Sequence, residues 1–403
     1  MIRFHDVRRV LASALPLCLA CGTGIESQSD NTMSVPTFSM PNDSPSANGG
    51  TSAGAPASPA DSPVTEAPGS QSPPNTPTNG TGASETNTGA WQPPALDRST
   101  PVGLHGQLRV QGSNLVDQSG TPVQLRGVST MWLNWEDRYS TSKAGLQWMR
   151  DNWGISAYRA AMGVEPDGAY LENRERALSQ LRQVVHNAID LGVYVLIDWH
   201  DHNAHQHRAD AIEFFSLVAA EFGEFPHVLY ETFNEPELIE WSTEIKPYHE
   251  AVVPAIRAQD PDGVIILGTR QWSQRVDEAA DDPVAGTNLM YTVHFYACEH
   301  RADQRAQAQL AYDQGLALFV TEWGATPADG GAEDPTVCAD EAQLWHDFMD
   351  ERRISWAAWK LDGCDDSSCL LTSDSAPRDG GWTDQWLNGH AQFVVDRLLG
   401  GQE

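Results

Sequence analysis

From about Val102 onward, short apolar runs recur along the chain, separated by helix-length stretches in which apolar and polar positions alternate with a helical period. The runs are VQLRGV, ISAYRAA, VYVLIDW, VLYETF, GVIILGT, LMYTVHFY, LALFVTE and ISWAAWK. Each reads as a strand. Between them, 174–190, 209–224, 244–258 and 340–352 read as amphipathic helices. Strands alternating with helices eight times predict an α/β fold, a closed (β/α)8 TIM barrel rather than an open doubly wound sheet. No glycine-rich phosphate loop or dinucleotide fingerprint follows the first strand. Ahead of it, LRVQGSNLVDQSGTPV has the alternation and turn residues of a short N-terminal β-hairpin.

The pattern fails upstream. Residues 22–97 are Ser, Thr, Pro, Gly, Asn and Ala with almost no bulky apolar side chains, a composition too poor in core to offset chain entropy, so a disordered linker is expected. Residues 1–21 have a basic start at Arg3, Arg8 and Arg9 and a short apolar run, as in an export signal. Cys21 follows Leu19-Ala20 as in a lipoprotein cleavage site, with Cys18 where Leu is usual; a lipid anchor at Cys21 and simple release are the two outcomes. Either way the protein is expected secreted or anchored at the cell surface. The folded domain is then 98–403, the size of one barrel.

Charge narrows the partners. A formal net charge of -30 repels nucleic acid and anionic membranes, and leaves a neutral polymer such as a polysaccharide compatible. The 14 Trp suit sugar stacking as well as core packing. A monomer is expected. Outside the export signal, four cysteines remain: Cys298, Cys338, Cys364 and Cys369. An even count in an exported domain suggests two disulfides. Of three possible pairings, the favoured one closes the loop GCDDSSC through Cys364–Cys369 and joins the loops after the sixth and seventh strands through Cys298–Cys338.

Candidate chemistry collects at strand ends. Arg159, His200, Asn234 with Glu235, His294 with Tyr296, Glu322 with Trp323, and Trp359 with Lys360 each close an apolar run. Any one of them alone is compatible with a packing role. Together they point polar groups at one rim, where barrel active sites form. Glu235 follows the fourth strand and Glu322 the seventh. Hydrolysis of a glycosidic bond needs such a pair, one carboxyl protonated to release a poor leaving group and one anionic to attack the anomeric carbon. No metal or organic cofactor is required. The run HDHNAHQH, with His200, His202, His205 and His207, can also be read as a zinc-binding loop; decoration of the rim is the better reading.

VLYETFNEP and VTEWG resemble glycoside hydrolase family 5. LRGVSTMWLNW, ISAYRAAM, LIDWHDHNA, GTRQWSQ, VHFYA and ISWAAWKL resemble its bacterial endo-β-1,4-glucanase (cellulase) branch, in the same order, from about Gly106 to Leu399. The resemblance implies a TIM barrel and a retaining endoglucanase acting on β-glucan. Glu235 would be the acid/base and Glu322 the nucleophile. Asn234 would bond the sugar 2-hydroxyl, Arg159 and Tyr296 would orient Glu322, and His200 and His294 would line the cleavage subsite. Trp359 would be a stacking platform with Lys360 beside it, and Trp135 and Trp272 would extend the cleft. Two positions depart from the pattern: Met131 stands near a usual His, and Gly163 where a Tyr is usual. These leave the choice among cellulose, mannan, xyloglucan and mixed-linkage glucan open. A non-catalytic polysaccharide-binding lipoprotein is the alternative from another class, and the presence of both carboxylates argues against it.

Overall fold

The computed structural model describes residues 91–328 and 336–400. The export signal with Cys21, and the linker up to residue 90, lie outside the described residues. Two short strands, β1 (Arg109–Gln111) and β2 (Asn114–Val116), pair antiparallel as the expected hairpin. Eight parallel strands follow: β3 (Arg126–Thr130), β4 (Ala157–Gly163), β5 (Tyr194–His200), β6 (Val228–Glu231), β7 (Val264–Leu267), β8 (Leu289–Tyr296), β9 (Leu318–Gly324) and β10 (Ser355–Leu361). They close in the order β10-β3-β4-β5-β6-β7-β8-β9, which is the expected barrel.

The period of two along each strand separates three environments. Outward residues such as Val195, Ile197 and Trp199 join the core under the helices. Inward residues near the strand starts, among them Tyr194, Leu196, Leu229, Ile266 and Phe319, fill the lower barrel together with Val102, Leu108 and Leu115 from the hairpin region. One step further along the same inward rows stand Arg159, Asp198, Glu231, Thr292 and Thr321, all fully buried. The polar interior of the upper barrel is thus the continuation of the apolar interior below it.

The expected helices are present, with ends displaced by one or two residues: Arg174–Leu191, Arg208–Phe222 and Ala339–Arg352. The first is capped by the Asn173 side chain and stopped by Gly192 at φ 66°. A side chain at 192 would sit 2.2 Å from Thr100 Oγ1, so this stop also admits the N-terminal segment. The helix read from 244 begins earlier, as a π-turn over Trp241–Ile245 that runs into Lys246–Arg257.

One boundary is corrected. The stretch read as linker to residue 97 is already part of the fold at Trp91, whose ring stacks on His186 at 3.8 Å and whose Nε1–H donates to Asp190 at 3.1 Å. A single large indole with a satisfied donor anchors a segment whose composition is otherwise that of a linker. Both favoured disulfides are formed, Cys298–Cys338 and Cys364–Cys369.

Candidate active site

Arg159, inward on β4, is the hub. Its Nε donates to Glu231 at 2.7 Å, Nη2 to Asn234 Oδ1 at 2.6 Å, and Nη1 to Glu322 at 3.0 Å. Nη2 also pairs with Asp198 at 3.0 Å. A buried guanidinium is tolerable only when its charge and donors are matched, and here they are. The second oxygen of Glu322 accepts from the Tyr296 hydroxyl at 2.7 Å. Strand register makes this meeting possible. Thr292 pairs with Phe319 but His294 with Glu322, so β9 carries one more residue than β8 across that interval. The extra residue brings Thr321 and Glu322, adjacent in sequence, into one polar network.

Glu235 follows β6 in the turn stiffened by Pro236. His294 Nδ1 lies 2.9 Å from its Oε1, and His202 Nδ1 3.6 Å from its Oε2. On its other side His294 Nε2 reaches Thr321 Oγ1 at 2.9 Å, and that hydroxyl donates to Glu231 at 2.6 Å. The imidazole is therefore set to donate from both nitrogens. Burial opposes its charge, yet the bonding toward Glu231 and Glu235 outweighs burial and pushes His294 up to about 9. The same proton holds Glu235 below the usual carboxylate range, against burial. Glu322 is pushed up, first by burial and then by the charge on Glu235. Glu231 stays low because Arg159 and His294 overcome its burial, whereas burial lifts Asp198 well above its usual value despite Arg159. Oxygens of Glu235 and Glu322 and a nitrogen of His294 all fall within 4.8 Å of one another.

The other expected residues surround this centre. Asn234 gives its Oδ1 to Arg159 and keeps a buried Nδ2 without a partner among the described residues, so one amide donor is left over. His200 donates Nδ1–H to Asp198 at 2.7 Å; burial keeps its ring neutral, and it lies parallel to Trp359 at 5.3 Å. Trp359 packs with Tyr296 and Ala161. Lys360 is buried behind it, with Nζ 3.4 Å from Asp366. Trp135, 40% exposed, stacks on Trp132 at 4.7 Å, and Trp132 meets the edge of His200 at 4.5 Å. Trp272 sits in a turn whose backbone is bonded to the loop carrying Glu235.

The sequence reading missed Asp198, Glu231, Thr321 and Trp132, and gave His202 only as a member of the histidine run, not as a neighbour of Glu235. A signal existed for the two acids: each interrupts an apolar strand, VYVLIDW or VLYETF, at a position that shares the inward parity of its neighbours. Trp132 explains one departure. A side chain at Gly163 would lie 2.1 Å from Asn134 Oδ1 and 3.1 Å from the Trp132 ring, so the loop after β3 fills the space where a Tyr is usual. The four histidines of the rim loop diverge: His200 to Asp198, His202 to Glu235, His205 against Phe233, and His207 to Asp201 at 2.8 Å. Among the described residues the four imidazoles do not gather into one ligand group; His207 lies instead with Glu165 and Asp201.

The family model for cellulase (glycosyl hydrolase family 5) matches residues 116–365. An endoglucanase of Clostridium saccharobutylicum is 42% identical over 300 residues, 73% of this chain and 65% of that protein. Endoglucanase A of Evansella cellulosilytica is 43% identical over 284 residues, 69% of this chain and 57% of its own length. The chain thus spans about three fifths of these two relatives. Among solved structures, the catalytic domain of a Thermobifida fusca endoglucanase is 32% identical with a TM-score of 0.71, over 74% of this chain and 99% of that one. A variant of that domain was solved in complex with cellotetraose, again at a TM-score of 0.71 over 74% of this chain and 99% of that one. With the barrel order and with one carboxylate after β6 and the other near the end of β9, these matches show that the chain belongs to the cellulase family of glycosyl hydrolases, family 5.

Proposed function

We propose that the protein is a retaining endo-β-1,4-glucanase that cleaves cellulose or a related β-glucan by double displacement. The observation that carries this is that a carboxylate oxygen of Glu235 lies within 4.8 Å of a carboxylate oxygen of Glu322. Retaining glycosidases place their carboxyl groups about 5–5.5 Å apart, whereas inverting ones leave room for a water.

Glu235 is the acid/base and Glu322 the nucleophile. His294, raised to about 9, favours holding the proton, while Glu235 is pushed below and Glu322 above the usual carboxylate range, the reverse of the order the reaction needs. The 2.9 Å bond from His294 to Glu235 is the route by which that proton reaches the acid. Glu235 becomes the acid. The transfer removes the Glu235 charge that raises Glu322 and also the His294 charge that lowers it, so burial is left opposed by Arg159 and Tyr296, which hold the Glu322 anion. Glu322 attacks the anomeric carbon while Glu235 gives its proton to the departing oxygen. A covalent glycosyl-Glu322 ester results. Glu235, now anionic, takes a proton from water, whose oxygen displaces Glu322 from the same carbon. Two inversions give net retention. The free amide donor of Asn234 suits the sugar 2-hydroxyl, and Trp359, Trp135 and Trp272 offer ring faces to glucosyl units.

Two disulfides fit an oxidising compartment outside the cytoplasm, as export through residues 1–21 requires. Lipid at Cys21 is a separate proposal, tested by incorporation of labelled fatty acid.

The deciding experiment pairs two variants. Glu322→Gln should abolish turnover and keep binding of cello-oligosaccharides. Glu235→Ala with an activated aryl cellobioside and azide should release β-cellobiosyl azide. An active Glu322→Gln enzyme, or an α-configured azide product, would overturn the assignment. Reducing-sugar release from carboxymethylcellulose, mannan and barley glucan separates the substrates.

A further inference from the structure

The loop after β7 carries an unusual backbone. Gln271, Trp272 and Ser273 are three successive non-glycine residues at φ 59°, 54° and 56°. Each crowds its Cβ against the following carbonyl, so left-handed residues that bear side chains occur singly as a rule, and a run of them persists only where surroundings hold it. The surroundings here are one loop. Gln271 N–H donates to Glu237 O at 2.9 Å and Trp272 N–H to Pro236 O at 2.8 Å. The Ser273 hydroxyl donates to Asn234 O at 2.7 Å. Read along the chain, three consecutive residues bond backwards along Asn234–Glu237 and grip Glu235 from both sides.

Two further contacts show that the grip is built. Ser273 is fully buried, and its Oγ also accepts from the Thr269 N–H at 3.2 Å, so the hydroxyl proton is committed to Asn234. A side chain at Gly268 would lie 2.0 Å from Phe233 O, so the two loops approach as closely as backbones can. By contrast, the main-chain bond that Glu235 makes for itself, its N–H to Asp201 O, is long at 3.5 Å.

We propose that this left-handed turn is a clamp that fixes the Glu235 carboxyl for proton delivery, and that Ser273 is a positioning residue for the acid step. The inference rests on the reading of Glu235 as proton donor. Its physical basis is that a misplacement of about 1 Å at a reacting group can cost on the order of a hundredfold in rate. The turn also carries Trp272 beside the same loop, so the acid and the ring that extends the cleft are set by one piece of backbone.

The test is leaving-group dependence. Ser273→Ala removes the hydroxyl; Ser273→Gly removes it and also relieves the left-handed residue, which protects folding. For each, kcat/KM is measured on a cello-oligosaccharide, whose leaving oxygen needs a proton, and on 2,4-dinitrophenyl β-cellobioside, whose leaving group does not. Expected is a loss of about tenfold or more on the oligosaccharide, with the dinitrophenyl substrate within about twofold of wild type. Equal losses on both substrates, or no loss on either, would overturn the proposal. Glu235→Ala is the reference. If it lacks the same split, the acid assignment itself fails, whatever Ser273 shows.

Discussion

The Arg159 guanidinium bonds or pairs with Glu231, Asn234, Asp198, Ser129 and Glu322, and none of its surface reaches water. Buried ion pairs are poor devices for stability, since desolvation offsets most of their attraction. This one therefore makes physical sense as a device for orientation: it spreads one positive charge over several carboxylates and so sets which of them holds a proton. A different residue shows the opposite case. His227 is buried, neither ring nitrogen has a partner among the described residues, and burial lowers its pKa to about 4. The folded value lies below the ordinary 6.5, so the unfolded chain binds the proton more readily. Stability from this site is full above 6.5 and is lost as pH falls toward 4. The loss is on the order of 3 kcal/mol. His227→Phe is expected to flatten that part of the stability curve, read as urea midpoints at pH 7 and 4.5.

Secondary elements were legible where apolar runs were long, because strand and helix periods are local properties. LMYTVHFY is β8 to the residue, and the other strands end within a few positions of their reading. Three features were not legible: the π-turn before Lys246, the extra residue in β9, and the left-handed turn at 271–273. The last two are set against a neighbouring element, by the pairing of β9 with β8 and by the bonds from 271–273 to the loop 234–237. Neighbour constraints also yield a prediction. Gly127 in β3 lies so close to β4 that a Cβ would be 2.1 Å from the Ala157 carbonyl oxygen, a backbone atom that cannot swing aside. Gly127→Ala is expected to cost about 1–3 kcal/mol by forcing the two strands apart. Calorimetry should show a lowered Tm with the same oligosaccharide products.

At the scale of the molecule, the two disulfides constrain different things. Cys298–Cys338 spans 40 residues and joins the loops that follow Tyr296 and Glu322, whereas Cys364–Cys369 spans 5. Chain entropy favours the longer closure: it gives about 4 kcal/mol for the first and about 2 kcal/mol for the second. Replacing Cys298 and Cys338 with Ser is therefore expected to lower the denaturant midpoint more than replacing Cys364 and Cys369. An equal or reversed order would mean that native contacts, not loop length, set their worth. The favoured pairing was legible because the loops after adjacent barrel strands are neighbours once the strand order is known.

The amino-acid sequence by itself determined the barrel, its hairpin, the rim on which chemistry collects, and the two carboxylates at Glu235 and Glu322. These follow from local periodicity and from motifs contiguous along the chain. Only the tertiary structure decided which groups share a proton. That Asp198 and Glu231 face Arg159, that Thr321 lies between His294 and Glu231, and that Ser273 grips the carbonyl before Glu235 depend on register between strands and on close approach between loops. Protonation in a buried cluster is a property of separations of a few ångströms between residues distant in sequence, and no pattern along one chain encodes those separations.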